Sequence, residues 1–286
     1  MEFGRVAPEE LKGINFELPT DPQQTIRTLK ESNNTHNFDL CIGATKWGRK
    51  EWLGNLYPRA TKESDFLPEY VKHFNGIFLN ATFYQIYKPE QILKWKEQAA
   101  TNPGFKFYPV MAQNISHIRR LKNADELTAQ YIAGVKAFGE NLGPALLQLG
   151  DNFSPKSFPE LKAYLEAFPK DFEIFVELRN KDWWTPEWLE KLDDLFHRNH
   201  VGFAITDAAG RRDCVHMHLT LPKAFIRFSS TDDIELDKKR LDQWARRLQD
   251  WKSRGLQSAG FFITGPVENN TPELCSYFSE QMPKTV

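Results

Sequence analysis

The sequence predicts an α/β fold of the (β/α)8, TIM-like barrel type, preceded by an irregular N-terminal extension. Three observations carry this expectation. Eight short apolar segments follow one another at a regular beat, each separated from the next by a helix-like or loop segment. Their span, residues 38–286, matches the roughly 250 residues of a barrel of eight such units. The turn after the first segment reads Ile42-Gly-Ala-Thr-Lys-Trp-Gly48 and lacks the GxGxxG spacing of a dinucleotide-binding sheet. An open doubly wound sheet shares the local rhythm and is the rival architecture.

Residues 1–37 read as the extension. Pro8, Pro19 and Asp21-Pro22 interrupt it, and the run Glu31-Ser-Asn-Asn-Thr-His-Asn37 is polar. No Gly/Ser-rich linker follows, so residues 38–286 read as one barrel domain. Strands are expected at 40–45, 76–80, 105–111, 145–149, 172–177, 201–207, 224–228 and 260–264. Thr185-Pro186 and Thr271-Pro272 each place an N-cap residue before a proline at the first helical position. Ser157 with Glu160, and Asn123 with Glu126, have capping-box spacing. Helical periodicity is plain in Trp188, Leu189, Leu192, Leu195 and Phe196, and again in Leu241, Trp244, Ala245, Leu248 and Trp251. Gly104, Gly202 and Gly255 stand where a helix hands over to the next strand.

Composition bounds the function. The 286 residues carry 37 basic and 38 acidic side chains, so no global positive field exists to draw in nucleic acid. No apolar run approaches the roughly 18 residues of a membrane span, and the start MEFGRVAPEE has no apolar signal core. Cys41, Cys214 and Cys275 are widely spaced and odd in number, which suits a reducing compartment. A cytoplasmic protein with no membrane partner is the expectation.

In a parallel strand, alternate side chains face the helices and should be apolar. Ile174, Val176 and Leu178 fit that face, which turns Glu177 and Arg179 inward; Ala224, Ile226 and Phe228 do the same for Arg227. Asn80, Gln148, Thr45 and Trp47 sort inward by the same rule. The sixth strand ends at Asp207, whose facing is ambiguous because both of its sets are apolar. The result is a polar collar at the strand C-termini, where barrel enzymes keep their chemistry. One reading is a structural ring in which Arg179 and Arg227 neutralise Glu177 and Asp207. The other makes the two carboxylates a general acid and base, with two arginines to grip an anion.

Other features point elsewhere. His117 lies on the loop after the third strand and suits proton transfer, or is a surface residue beside Arg119-Arg120. Cys214, His216 and His218 are spaced by two, so a strand would put them on one face as metal ligands; no fourth ligand matches, and no metal or cofactor is assigned. Arg227-Phe-Ser-Ser230 falls where late barrel loops hold phosphate. Trp183-Trp184 suits either a sugar platform or a staple for the following helix.

Taken together, several motifs resemble one family. Ile42-Gly-Ala-Thr-Lys-Trp47 with Trp52 and Tyr57-Pro58, then Tyr70-Val-Lys-His-Phe-Asn75 before Asn80-Ala-Thr-Phe-Tyr84, are similar to the opening of the YecE-like family, DUF72. The likeness runs on through Ser116-His117, Arg119-Arg120, Leu142-Gly-Pro-Ala-Leu-Leu-Gln-Leu149, Val176-Glu-Leu-Arg179, Trp183, Thr206-Asp207 and Phe225-Ile-Arg227. The resemblance implies a TIM-like barrel in a bacterial cytoplasm, loosely related to sugar isomerases, with no established activity. It implies site positions Trp47, Asn80, Thr82, Tyr84, His117, Gln148, Glu177, Arg179, Asp207 and Arg227. The family's usual third-strand basic residue and Pro-Arg pair stand here as Val110 and Ala112-Gln113. Its His-Gly after the seventh strand is Ser229-Ser230, and its paired asparagines after the eighth give way to Thr264-Gly265.

The expected function is an enzyme acting on a small anionic or sugar-like molecule. Glu177, Asp207 and His117 are the catalytic candidates. Trp47, Asn80, Tyr84, Gln148, Arg179 and Arg227 are the candidates for binding substrate. The alternatives are a nucleic-acid-binding or phosphodiester-cleaving barrel using Arg119, Arg120, Arg211 and Arg212, and a non-catalytic small-ligand sensor.

Overall fold

The structure, a computed structural model, describes residues 3–32, 38–231, 233–267 and 269–282. All eight expected strands form: β1 (Asp39–Ala44), β2 (Gly76–Leu79), β3 (Lys106–Pro109), β4 (Ala145–Leu149), β5 (Ile174–Leu178), β6 (Gly202–Asp207), β7 (Lys223–Ser229) and β8 (Ser258–Thr264). The helices are α1 (Gln23–Glu31), α2 (Phe66–Tyr70), α3 (Ala81–Tyr84), α4 (Pro89–Gln98), α5 (Asp125–Val135), α6 (Phe158–Ala167), α7 (Pro186–Asn199), α8 (Ile234–Ser253) and α9 (Asn270–Gln281). The chain divides into two compact units, Met1–Ala44 with Gly202–Val286, and Thr45–Val201.

The first unit carries four parallel strands in the order β1-β8-β7-β6. The second carries β2 beside β3 and β4 beside β5, with the bridges Phe107↔Leu142 and Val110↔Leu146 tying the third strand to the fourth. Each unit is thus a run of parallel strands, with helices between successive strands of the chain. This is the α/β, TIM-like arrangement the sequence predicts. Strand β5, Ile-Phe-Val-Glu-Leu, is buried at every position, as a parallel strand covered on both faces must be.

The helices form where apolar stripes meet those sheets. Leu241, Trp244, Ala245, Leu248 and Trp251 of α8 are all buried. Trp244 packs edge-on to Trp251 and Phe261, and Phe261 lies 4.0 Å from Phe278 of α9. In the second unit Phe107 stacks on Phe138 at 4.2 Å, and Tyr70 sits among Trp52, Phe74 and Phe105. Thr185 is the extended residue before Pro186 at the start of α7, as expected. That helix ends on a left-handed His200 (φ 56°), and Gly202, expected at the handover, is already in β6. Helix α9 starts at Asn270, so Thr271-Pro272 lies inside its first turn, where a missing N–H costs nothing. Gly255 follows α8 with φ 120°, and a Cβ there would stand 2.3 Å from the Leu29 carbonyl.

The extension is less irregular than its composition suggests. Residues 8–13 form a 3-10 turn and residues 23–31 form α1. The cause is tertiary. The Thr25 hydroxyl donates to Met217 O (2.7 Å) and accepts from Leu219 N (2.9 Å), and the Thr28 hydroxyl donates to Leu219 O (2.8 Å). Asp21 accepts from Arg247, Trp251 and Arg254 of α8 and its end. Of the polar run 31–37, residues 33–37 lie outside the described residues.

Candidate functional site

In the second unit a polar cluster assembles at the C-terminal ends of β4 and β5. The β4–β5 register pairs Gln148 with Glu177, which sets both side chains on one face. Arg179, just past β5, donates from Nε to Glu177 Oε1 (2.6 Å) and from Nη2 to Gln148 Oε1 (2.7 Å). The Glu177 side chain is 2% exposed and that of Arg179 14%. A desolvated carboxylate of this kind is tolerated because a guanidinium lies against it.

His117 arrives from the loop after β3. Residues Asn114–Ile118 form a π-helical turn, a form concentrated at functional sites. The chain then passes through left-handed conformations at Arg120, Leu121 and Asn123, with φ of 51°, 68° and 48°. Such residues persist only where neighbours over-determine them. Here the Leu121 N–H donates to Ile115 O, Arg119 Nη1 to Asn123 O and Arg120 Nη2 to Asn152 O. Asn123 is therefore a turn residue, and Ala124 rather than Asn123 caps α5.

The His117 ring stands edge-on to Phe83 at 5.1 Å, and its Nδ1 shares a 2.8 Å hydrogen bond with the buried Ser116 hydroxyl. Gly150, just past β4, lies against the ring: a Cβ there would stand 3.4 Å from His117 Nε2, an ordinary packing distance. Burial, and then the Arg179 charge, hold the imidazole below its ordinary range against the opposing pull of Glu177. Both causes favour the neutral imidazole, the form that can accept a proton.

The remaining candidates of this unit divide. Tyr84, 66% exposed, packs edge-on to Phe83 beside His117. Asn80 is half-buried at the start of α3, and its carbonyl accepts from the Phe83 N–H (3.1 Å). Trp47 joins a different group, edge-on to Trp95 at 5.6 Å with Tyr87 beyond. Thr82 is structural: its hydroxyl contacts Leu79 O and Val110 O and accepts from Val110 N. Trp183 is fully buried, donates to Phe153 O (2.7 Å) and packs on Trp188, so it staples α7 and offers no platform.

In the first unit Asp207 departs from its expected role. The β6–β7 register pairs Asp207 with Phe228 and Thr206 with Arg227. Phe228 faces the helices, so Asp207 does too, and Thr206 is the residue level with Arg227. Its two oxygens are committed to α8 and the following turn. Oδ1 accepts from Arg240 Nη2 (2.7 Å) and from Arg212, and Oδ2 accepts from Trp244 Nε1 (2.7 Å). Burial pushes this carboxyl up, but the Arg240 and Arg212 charges and the Trp244 bond outweigh it and hold it below the usual carboxylate range. An acid or base needs an oxygen that can reach substrate; Asp207 is a packing anchor. The sequence signal for this was the Arg240–Trp244 spacing of four, which puts a cation and an N–H donor on the buried stripe of α8.

Three further expectations change in this unit. Arg211 pairs with Asp213 and Arg212 with Asp207, which neutralises half of the basic set considered for nucleic acid. The N-terminus of α8, after Arg227-Phe-Ser-Ser230, is occupied by carboxylates. Asp233 takes the Glu235 and Leu236 amides and Asp237 takes that of Thr231, so this helix start repels phosphate. Cys214 ends a 3-10 turn, so the even spacing with His216 and His218 does not place the three on one strand face. His216 Nδ1 accepts from the His218 amide, which leaves Nε2 to donate to Ala204 O (3.2 Å). Among the described residues no helix is long and apolar enough to cross a membrane.

Comparison with known proteins agrees with this architecture. The family model described as protein of unknown function DUF72 matches residues 41–286. The UPF0759 protein YecE of Escherichia coli K12 is 28% identical over 266 residues, covering 86% of this chain and 94% of that protein. A DUF72 protein of Enterococcus faecalis V583 superposes with a TM-score of 0.66 at 16% identity, covering 86% of this chain and 98% of its own. One from Thermotoga maritima MSB8 gives 0.65 at 19% identity, over 85% and 98%. The chain belongs to the DUF72 family.

Proposed function

We propose that this protein is an enzyme that moves a proton on a small anionic or sugar-like molecule, at the cluster built on β4, β5 and the loop after β3. The observation that supports this most strongly is a half-buried histidine, carried on a strained loop, beside a guanidinium that Glu177 and Gln148 hold from two sides. His117 is the acid/base group. Arg179 grips the carboxylate, phosphate or oxyanion of the substrate, a task suited to its planar fork. Glu177 keeps that fork in place, and Tyr84 offers an exposed ring to the substrate's apolar face.

The test is a turnover screen over sugar acids, sugar phosphates and simple hydroxy acids with the intact chain, His117→Gln and Glu177→Gln. The reading expects one class to turn over, His117→Gln to lose at least about 100-fold, the lower bound usual for a positioned acid or base, and its melting temperature to hold. If Glu177→Gln unfolds the chain and no class turns over, the Glu177–Arg179 pair is structural and the reading falls.

A further inference from the structure

Two stretches of the second unit take no part in the His117 cluster and meet one another. Residues 52–58 belong to the loop after β1, and residues 70–75 run from α2 to the start of β2. Between them lies an open cleft of about 550 Å³, lined by residues 54–59 with Glu69, Lys72 and His73. That is the size of a small-molecule site. It is a separate place, because His73 stands just before β2 begins, whereas Glu177 and Gln148 lie near the C-terminal ends of β5 and β4.

The floor of this cleft is fixed. The Gly54 amide donates to Tyr57 O (2.7 Å) and the Tyr57 amide to Trp52 O (2.9 Å), which closes the loop tightly. Tyr57, 1% exposed, stacks on Phe66 at 5.1 Å and donates its hydroxyl to Trp47 O (2.8 Å). Phe66 opens α2, so the packing that seats the loop also seats the helix carrying Glu69. Lys72 and His73 follow directly, their amides bonded to Glu69 O (3.1 Å) and Tyr70 O (3.0 Å).

The rim is cationic. Gly54 has φ +82°, and a Cβ there would stand 3.2 Å from both Cγ and Nε of Arg59, so glycine lets that side chain lie back against the loop. Arg59 and His73 are exposed, and among the described residues no carboxylate pairs with Arg59. Lys72 reaches Glu69 (2.6 Å) while its side chain stays 54% exposed. Glu69 thus offsets one positive charge and leaves that of Arg59 unopposed. The His73 ring offers at least one N–H donor in either protonation state.

Three donors of different shape therefore line one cleft: a planar fork, an ammonium and a ring N–H. A carboxylate has two oxygens, which the fork alone satisfies. A phosphate monoester has three strong acceptor oxygens and close to two charges, enough to engage all three donors. We propose that this cleft binds the phosphate group of a small phosphate monoester. Arg59 takes two of its oxygens, Lys72 and His73 share the third, and the organic part lies along Leu56 and Pro58. Glu69 holds Lys72 in reach and at the same time weakens the grip on the anion. This site is independent of the chemistry assigned to His117.

The test follows the His73 ring signals and the Arg59 Nε signal by NMR in the full chain. Glycerol phosphate, inorganic phosphate or glycerate is added at millimolar concentration and constant ionic strength, so that simple screening is the same in each. Glycerol phosphate is expected to shift both signals saturably, and glycerate to bind at least about tenfold more weakly. Arg59→Gln, at an exposed position, keeps the melting temperature and weakens glycerol phosphate at least about tenfold, the size of a lost charge-assisted hydrogen bond. Glu69→Gln strengthens binding, a gain that an unfolded chain could not show. Arg179→Gln leaves the His73 response intact. A response that never saturates, equal binding of glycerate, or binding undiminished in Arg59→Gln overturns the proposal. Tighter binding of inorganic phosphate than of glycerol phosphate also overturns it, since that marks a site for the free ion. A His73 response lost in Arg179→Gln would put the ligand at the other cluster and overturn it as well.

Discussion

Replacing Asp207 by Asn removes the charge at the centre of a sealed network while keeping its size. Asn retains one acceptor and must turn an NH2 group toward either Trp244 Nε1 or the guanidiniums, both of which are donors. Arg240, 1% exposed, keeps Asp237 at 2.7 Å but loses its other carboxylate. Breaking a buried pair from one side costs about 3–5 kcal/mol, and the surviving Asp237 contact places this case near about 3 kcal/mol. For a chain of this size that is a fall of roughly 6–12 °C in melting temperature, read by circular dichroism at pH 7. The folded-state pKa of Asp207 lies below its unfolded value, so its stabilisation is fully present above the unfolded pKa near ~3.9 and is lost as pH falls through the folded one. The gap between parent and variant must therefore shrink below about pH 4. A variant that melts within about 1 °C of the parent at pH 7 would refute the packing role.

Other outcomes follow from the same structure. Titrated by NMR, the His117 ring has a midpoint below 6.5, and Arg179→Gln moves it upward by removing a nearby positive charge; an unmoved midpoint would separate the two residues. His216, held neutral by burial and by the neighbouring His218 with a pKa pushed down to about 3, contributes stability above pH 6.5 that is lost as pH falls toward 3. Urea midpoints of the parent should fall across that window more steeply than those of His216→Asn. Thr25→Val strands the Met217 carbonyl and the Leu219 amide, at a cost of about 2 kcal/mol or more in urea denaturation. If α1 is only draped on the surface, that substitution will be silent.

The strands were legible because parallel strands covered on both faces read as short apolar runs with turn residues between them. The facing of β5 followed from the same rule, and it led to Glu177, Arg179 and Gln148. The rule gives no facing at β6, where both sets of side chains are apolar, and Asp207 turns to α8 because that helix presents a buried Arg240 and Trp244 there. Helix α1 was hidden because nine residues are too few to hold a helix by themselves, and its fastening is to residues nearly two hundred positions away. The π-turn that carries His117 was hidden for the same reason, since its left-handed residues are held by bonds to Ile115, Asn123 and Asn152. Ser229 and Ser230, where the chain departs from the family's usual pattern, line a cavity beneath the N-terminal segment, a relation that a reading of the strands alone could not supply.

The most direct measurement follows the side-chain nitrogen signals of His117 and Arg179 while sugar acids, sugar phosphates and hydroxy acids are added at millimolar concentration. A site for small polar molecules predicts that at least one class shifts both signals saturably in the parent and that Arg179→Gln abolishes the response. Signals that stay fixed for every class, beside a Glu177→Gln variant that no longer folds, would show that these groups only hold two strands together.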